Sequence, residues 1–170
     1  MSVHLDEMRR LIDRAAIHDV HVRYFRGIDA ADKAQVRRCF TDDVRASYDA
    51  RASADGIEAL MDNFLAFNNR ASGQWLATTH FMGNLCFLRL DDDAAETEVY
   101  AIACLVRPGD PANTVTMRSL RYLDRLCRRA GEWRIQDRVH TLDWSSEVPA
   151  TFAGAFASRI TNTLPARAAG

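Results

Sequence analysis

Hydrophobic residues near the start of the chain recur at helical spacing. From about Leu5 to Ile28, the residues Met8, Leu11, Ile12, Ala15, Ala16 and Val20 make one stripe with charged residues around it. Gly27 and the following IDAADK predict the end of this helix. Asp32 is placed to cap a short second helix over Lys33 to Phe40. TDDVRASYDA reads as a turn and a short strand. Asp55 and Gly56 open another helix with Ile57, Leu60, Met61, Phe64, Leu65 and Phe67 as its apolar face.

After Gly73 the texture changes. Gln74 to Leu90, Glu96 to Arg107, Thr114 to Arg128 and Trp133 to Asp143 are long segments rich in Val, Thr, Tyr, Leu and Ile. DDD, PGDP and AG mark their boundaries with turn chemistry, and residues 108–111 give the clearest hairpin turn. These segments predict consecutive antiparallel strands, long enough that the sheet must twist and coil to bury one face. Helices first and a curved meander afterwards make an α+β arrangement. The helices are expected on the concave side, with a pocket at the open end. A single domain over residues 1–164 is expected, with a frayed tail at 165–170. PATFAGAFASRI, with Phe152 and Phe156 four apart, reads as a short helix covering the pocket or a subunit contact.

Composition narrows the function classes. The chain of 170 residues is 48% hydrophobic, enough for a full core in one domain. Its 22 basic and 23 acidic residues leave a net charge of −1, so no electrostatic footprint for nucleic acid or an anionic membrane is expected. No apolar run reaches the roughly 18 residues of a membrane span. The start, MSVHLDEMRRLID, lacks a basic segment followed by an apolar stretch. Cys39, Cys86, Cys104 and Cys127 form neither a CxxC pair nor a zinc-spaced cluster. Free thiols without an export signal predict a cytoplasmic protein.

Among five histidines, His80 stands out because it interrupts the apolar strand LATTHFMGNLCFL. Alternation puts His80, Met82, Asn84 and Cys86 on one face. A buried histidine needs a hydrogen-bonding partner, and on these residues alone a satisfied core histidine is the plainer reading. Asp29, just beyond the first helix, reads equally as a turn aspartate. Tyr24 precedes it by five residues, so the two share a cavity only if the helix end borders it broadly or unwinds near Gly27. His140, Arg138 and Trp144 share a face of the last long strand by alternation, with a surface salt bridge as the plain reading of Arg138. Tyr48 and Tyr122 read as core or interface residues. His18 and His21 form an HxxH pair without a visible third ligand, and a solvated helix face explains them.

DRAAIHDVHVRYFRGIDAAD near the start, TTHFMGNLCF in the middle and RYLDRLCRRAGEWRIQDRVHTLDW at the end, in that order and spacing, resemble the SnoaL-like branch of the nuclear-transport-factor-2-like superfamily. The resemblance covers about residues 5–145. Scytalone dehydratase, bile-acid dehydratase and hexachlorocyclohexane dehydrochlorinase belong to that branch. It implies a cone-shaped roll, a strongly bent antiparallel sheet with N-terminal helices enclosing a pocket. It further implies a His–Asp dyad formed by His80 and Asp29, with Tyr24 as a polar partner. Arg138 matches the last-strand arginine of the dehydrochlorinase, and Tyr48 a pocket tyrosine of scytalone dehydratase. The chain departs from the dehydratases at Ala103 to Leu105, where they carry another His or Asp; His140 stands as a candidate replacement.

The chemistry so implied is cofactor-independent and metal-free. His80 would take a proton from carbon, Asp29 would fix its tautomer, and Tyr24, with Tyr48, would donate to the developing oxyanion or departing hydroxyl. Tyr48, Arg138 and His140 are the expected substrate-binding residues. A dehydratase-like lyase or isomerase acting on a small, largely apolar cyclic compound is the preferred expectation. A polyketide cyclase, a ketosteroid-isomerase-like enzyme, and a noncatalytic binding or assembly subunit like the small subunit of aromatic-ring dioxygenases are the alternatives. The resemblance implies a homodimer or homotrimer through the outer sheet face.

Overall fold

The computed structural model describes residues 2–49, 52–110 and 112–149. Helix α1 (Ser2–Ala30) is followed by α2 (Lys33–Arg37), strands β1 (Phe40–Tyr48) and β2 (Ala52–Asp55), helices α3 (Ile57–Asp62) and α4 (Leu65–Ala71), and four long strands, β3 (Ala77–Leu90), β4 (Ala94–Arg107), β5 (Thr114–Arg129) and β6 (Glu132–Pro149). The six strands make one curled, unclosed sheet in the order β2-β1-β6-β5-β4-β3. The long strands run antiparallel to their neighbours, as their turn signals predict. β1, in contrast, pairs with β6 in parallel, a non-local pairing that leaves no turn signature in the sequence.

Helix α1 packs on the concave side, but with a different stripe from the expected one. Met8, Leu11 and Ile12 are exposed, the last two at 67% and 62%. The buried face runs instead through Asp13, Ile17, Val20, His21, Tyr24, Phe25 and Ile28. Two polar residues in this stripe disguise it, and both find partners inside. Asp13 accepts from the Trp133 indole at 3.1 Å and pairs with Arg128, and His21 meets Thr97 and Asp124. The solvated-face reading therefore fails for His21 and holds for His18. The helix passes through Gly27 and ends at Ala30, within the IDAADK run that marks its end in the sequence. A Cβ on Gly27 would sit 2.7 Å from a Val36 methyl, so the glycine admits α2 against α1. Asp32 caps α2 as expected, accepting the Gln35 amide at 2.8 Å. The single helix expected after Gly56 is two, α3 and α4, broken at Asn63 and Phe64.

Residues paired across the sheet and facing inward form successive rows. His80, Ala103 and Arg118 make one row, and Met82, Ala101, Leu120 and Leu142 the next. Val99, Tyr122, His140 and Tyr48 follow, then Thr97, Asp124, Arg138 and Ala46. Two irregularities correct the simple alternation. Between Met82 and Leu85 the β3–β4 register slips by one residue, so Leu85 and Phe87, not Asn84 and Cys86, face the core. In β6 an extra residue at Asp143 separates Leu142 from Trp144 in the pairing. Trp144 thus leaves the face of Arg138 and His140 and is half exposed. The β5–β6 hairpin turns on Ala130 and Gly131, both at positive φ (51° and 82°), the backbone a two-residue hairpin requires. The segment with Phe152 and Phe156, and the tail at 165–170, lie outside the described residues.

Candidate active site

Between α1, α3, α4 and the concave face of the sheet lies a cavity of about 200 Å³. That is below the roughly 300–1,000 Å³ typical of drug-sized pockets, so it suits a small ligand. Tyr24 and Ile28 enter it from α1, His80 from β3, Ala103 and Leu105 from β4, and Tyr122 from β5. Tyr48, Phe64, Trp75 and His140 also line it.

Asp29, in the last turn of α1, is buried and turned toward the start of β3. Its Oδ1 lies 2.7 Å from His80 Nδ1, its Oδ2 accepts the His80 amide at 2.9 Å, and Thr78 donates to Oδ1 at 3.2 Å. The Phe25 ring stacks on the imidazole at 5.6 Å between centroids and 24° between planes. With the carboxylate on Nδ1, that nitrogen carries the proton, and Nε2 is left as the basic lone pair of a ring that lines the cavity. Tyr24 and Asp29 serve one site without any unwinding at Gly27. The tyrosine forms cavity wall, and the aspartate reaches the cavity through His80.

Tyr24 is packed edge-on against Phe25, Phe40 and Tyr122. Burial pushes the Tyr24 and Tyr48 hydroxyls above the ordinary phenol range, so both keep their protons at neutral pH. Arg138 does not line this cavity. It lies behind the tyrosines, fully buried, with its guanidinium 4.1 Å from the Tyr24 ring centre and 4.7 Å from that of Tyr122. Nε and Nη2 donate to the two Asp124 oxygens at 2.8 and 2.6 Å. Burial disfavours its charge, but Asp124 more than offsets this and holds Arg138 protonated. The surface salt bridge expected for Arg138 is thus a buried, bidentate one.

A second polar cluster stands on the same cavity. Arg118 donates to Asp49 Oδ2 at 2.9 Å, and His140 Nδ1 lies 3.0 Å from Asp49 Oδ1. Burial lowers the His140 pKa to about 4, so its ring is neutral at pH 7. Asp49 sits at φ 52°, and its amide donates to the His140 carbonyl at 2.9 Å, which fixes the two residues side by side. Sequence reasoning named His140 but missed Asp49, Arg118 and Asp124. The last two fall in phase with Leu120, Tyr122 and Leu126 along β5, and charges in the apolar phase of a strand were the available signal. Asp49 follows a strand end and carries no such mark. Ala103, the row partner of His80, puts only a methyl group on the cavity wall. Among the described residues, no three His, Cys, Asp or Glu side chains are grouped to hold a metal, and no helix is long and apolar enough to cross a membrane.

A family model for the SnoaL-like domain matches residues 9–139. No curated protein matches the chain. Solved structures with the same fold include a Type2 hexachlorocyclohexane dehydrochlorinase, 19% identical, covering 94% of this chain and 98% of that one with a TM-score of 0.71. Another is a protein from Novosphingobium aromaticivorans named for scytalone dehydratase, at 16% identity, 82% and 90% coverage and a TM-score of 0.71. An NTF2-like protein with a cystatin-like fold, from the same organism, aligns at 20% identity, 84% and 90% coverage and a TM-score of 0.65. At these identities the likeness is one of fold, the cone of the NTF2-like proteins.

Proposed function

We propose that this chain, which belongs to the SnoaL-like domain family, is a cofactor-independent lyase or isomerase that takes a proton from carbon in a small cyclic compound. The observation that carries this reading is the Asp29–His80 pair at 2.7 Å on the wall of a small, mostly apolar cavity. His80 Nε2 removes the proton. Asp29 holds the tautomer and stabilises the imidazolium that forms. Tyr24, a protonated phenol on the same cavity, donates to the oxygen or leaving group on which negative charge develops. Imidazole, carboxylate and phenol supply all the acid–base groups that the step requires. The resemblance of the fold to a dehydrochlorinase and to a protein named for scytalone dehydratase supports elimination as the form of the reaction.

The protein is read as a cytoplasmic homodimer or homotrimer with one domain over 1–164. Phe81, Tyr100, Val139 and Trp144 are exposed on the outer sheet face, which favours association there. The test is NMR of the protein in D₂O with a panel of cyclic β-hydroxy ketones and chlorinated cyclohexanes. The reading expects elimination or deuterium uptake at carbon for at least one compound, at a rate that tracks the concentration of folded protein. No reaction at carbon across both classes counts against it.

A further inference from the structure

The stripe that the sequence marks as the core face of α1 is left uncovered by the described residues. Leu5, Met8, Leu11 and Ile12 are from 49% to 67% exposed, and Ala15 and Val22 are exposed beside them. At 3.6 residues per turn, Met8, Leu11, Ile12, Ala15 and Val22 fall within an arc of about 100°, opposite the stripe from Asp13 to Ile28 that packs on the sheet. The helix thus has two apolar faces. Its first turns also stand clear of the body. Residues 4–12 are exposed on every side, and burial begins at Asp13, which Trp133 and Arg128 hold beside the β5–β6 hairpin. A short helix without packing is marginal in water, and a contiguous apolar stripe marks an interaction surface.

Charge along one edge of the stripe says what covers it. Glu7 and Arg14 lie two turns apart on the same edge. Among the described residues, Glu7 pairs only with His4, at 3.7 Å, and Arg14 lies over the Phe87 ring at 4.1 Å with no carboxylate paired to it. Each is the charge that the other lacks, but seven residues of helix keep them about 10.5 Å apart in one chain. A second copy running antiparallel closes the gap. A two-fold axis crossing between Arg10 and Leu11 sets Glu7 opposite Arg14 of the second copy, and Arg14 opposite its Glu7. Leu5, Met8, Leu11, Ile12 and Ala15 of the two helices then interdigitate between these pairs. A parallel arrangement would set like charges together. The face is therefore self-complementary in one direction, as a two-fold contact requires.

We propose that the outward face of α1 from Leu5 to Ala15 docks a second copy of this chain by antiparallel pairing of the two helices. The contact is separate from the outer sheet face, because α1 lies on the concave side. It uses no residue of the cavity.

The test is sedimentation velocity of the full chain over a range of concentrations. The expected assembly holds an even number of copies, and Leu11→Glu with Ile12→Glu halves its mass while the circular dichroism spectrum is unchanged. Glu7→Arg and Arg14→Glu are each expected to raise the dissociation constant about tenfold, since each sets two like-charge contacts in place of two ion pairs. The two substitutions combined restore the contact, a rescue that neither residues 150–170 of the same chain nor a lipid surface would give as occupant. A monomer at all concentrations, an odd number of copies, or a mass indifferent to Leu11→Glu with Ile12→Glu in a folded protein would overturn the proposal. So would charge variants that leave the dissociation constant unchanged or are not rescued in combination, or binding to phosphatidylglycerol vesicles without self-association.

Discussion

Asp29 grips His80 at two points, with Oδ1 2.7 Å from the ring Nδ1 and Oδ2 2.9 Å from the backbone amide of the same residue. One carboxylate thus fixes both the tautomer of the imidazole and the place of its strand against α1. Asp29→Asn keeps the shape but weakens this control, because an amide offers one acceptor oxygen where the carboxylate offers two. Turnover is expected to fall by about 10² to 10⁴-fold, the contribution typical of a positioned general base. Nitrogen chemical shifts of the His80 ring would report the change of tautomer directly.

Tyr24→Phe removes only a hydroxyl and leaves the ring in its edge-on contacts with Phe40 and Tyr122. Where that hydroxyl donates to developing charge, its loss costs about 10² in kcat. Thermal stability is expected to change by less than about 1 kcal/mol, within the usual net worth of one hydrogen bond. A large loss of stability with kcat unchanged would make Tyr24 a core residue instead.

Asp124 and Arg138 form a fully buried pair, with both side chains at 0% exposure. Removing one partner leaves an uncompensated charge, so Asp124→Ala is expected to destabilise by roughly 3–5 kcal/mol. The double substitution Asp124→Leu with Arg138→Met removes both charges and is expected to cost less than the single one. Urea unfolding of the two variants checks the order. The Arg138 guanidinium lies over Tyr24, so the single variant should also disturb the cavity wall.

Burial lowers the pKa values of both His21 and His140 to about 4. Asp124 favours the charged form of His21, while Arg138 and His18 oppose it. Asp49 favours the charged form of His140, while Arg118 and Arg138 oppose it. Between about pH 4 and the unfolded value near 6.5, the unfolded chain binds protons that the folded one does not, so stability falls as pH falls through this window. Above about 6.5 both states are neutral and the contribution is complete. Each histidine accounts for on the order of 3 kcal/mol of the change, at roughly 1.4 kcal/mol per pKa unit. The urea midpoint measured from pH 7 to pH 4.5 should drop, and His140→Gln should flatten the slope.

Much of the cone was legible because its signals are local. The turn residues at Asp91 to Asp93, at Ala130 and Gly131, and the cap at Asp32 all act where the sequence suggests. The core stripe of α1 was not legible, because Asp13 and His21 are polar residues whose partners come from distant strands. Alternation failed where β3 takes in an extra residue after Met82 and β6 one at Asp143, since nothing in GNL or LDW marks a bulge unambiguously. His80 and Asp29 were named through family likeness, and Asp49 and Arg118 were not, because a cluster drawn from a strand end and another strand has no linear motif.

The claim that His80 is the base is tested most directly by His80→Ala assayed with and without added imidazole on the best substrate of the panel. The account predicts a loss of about 10²-fold or more, with an unchanged circular dichroism spectrum and partial recovery as imidazole fills the vacated space. Turnover by the folded His80→Ala protein within a few-fold of the unsubstituted chain would contradict it.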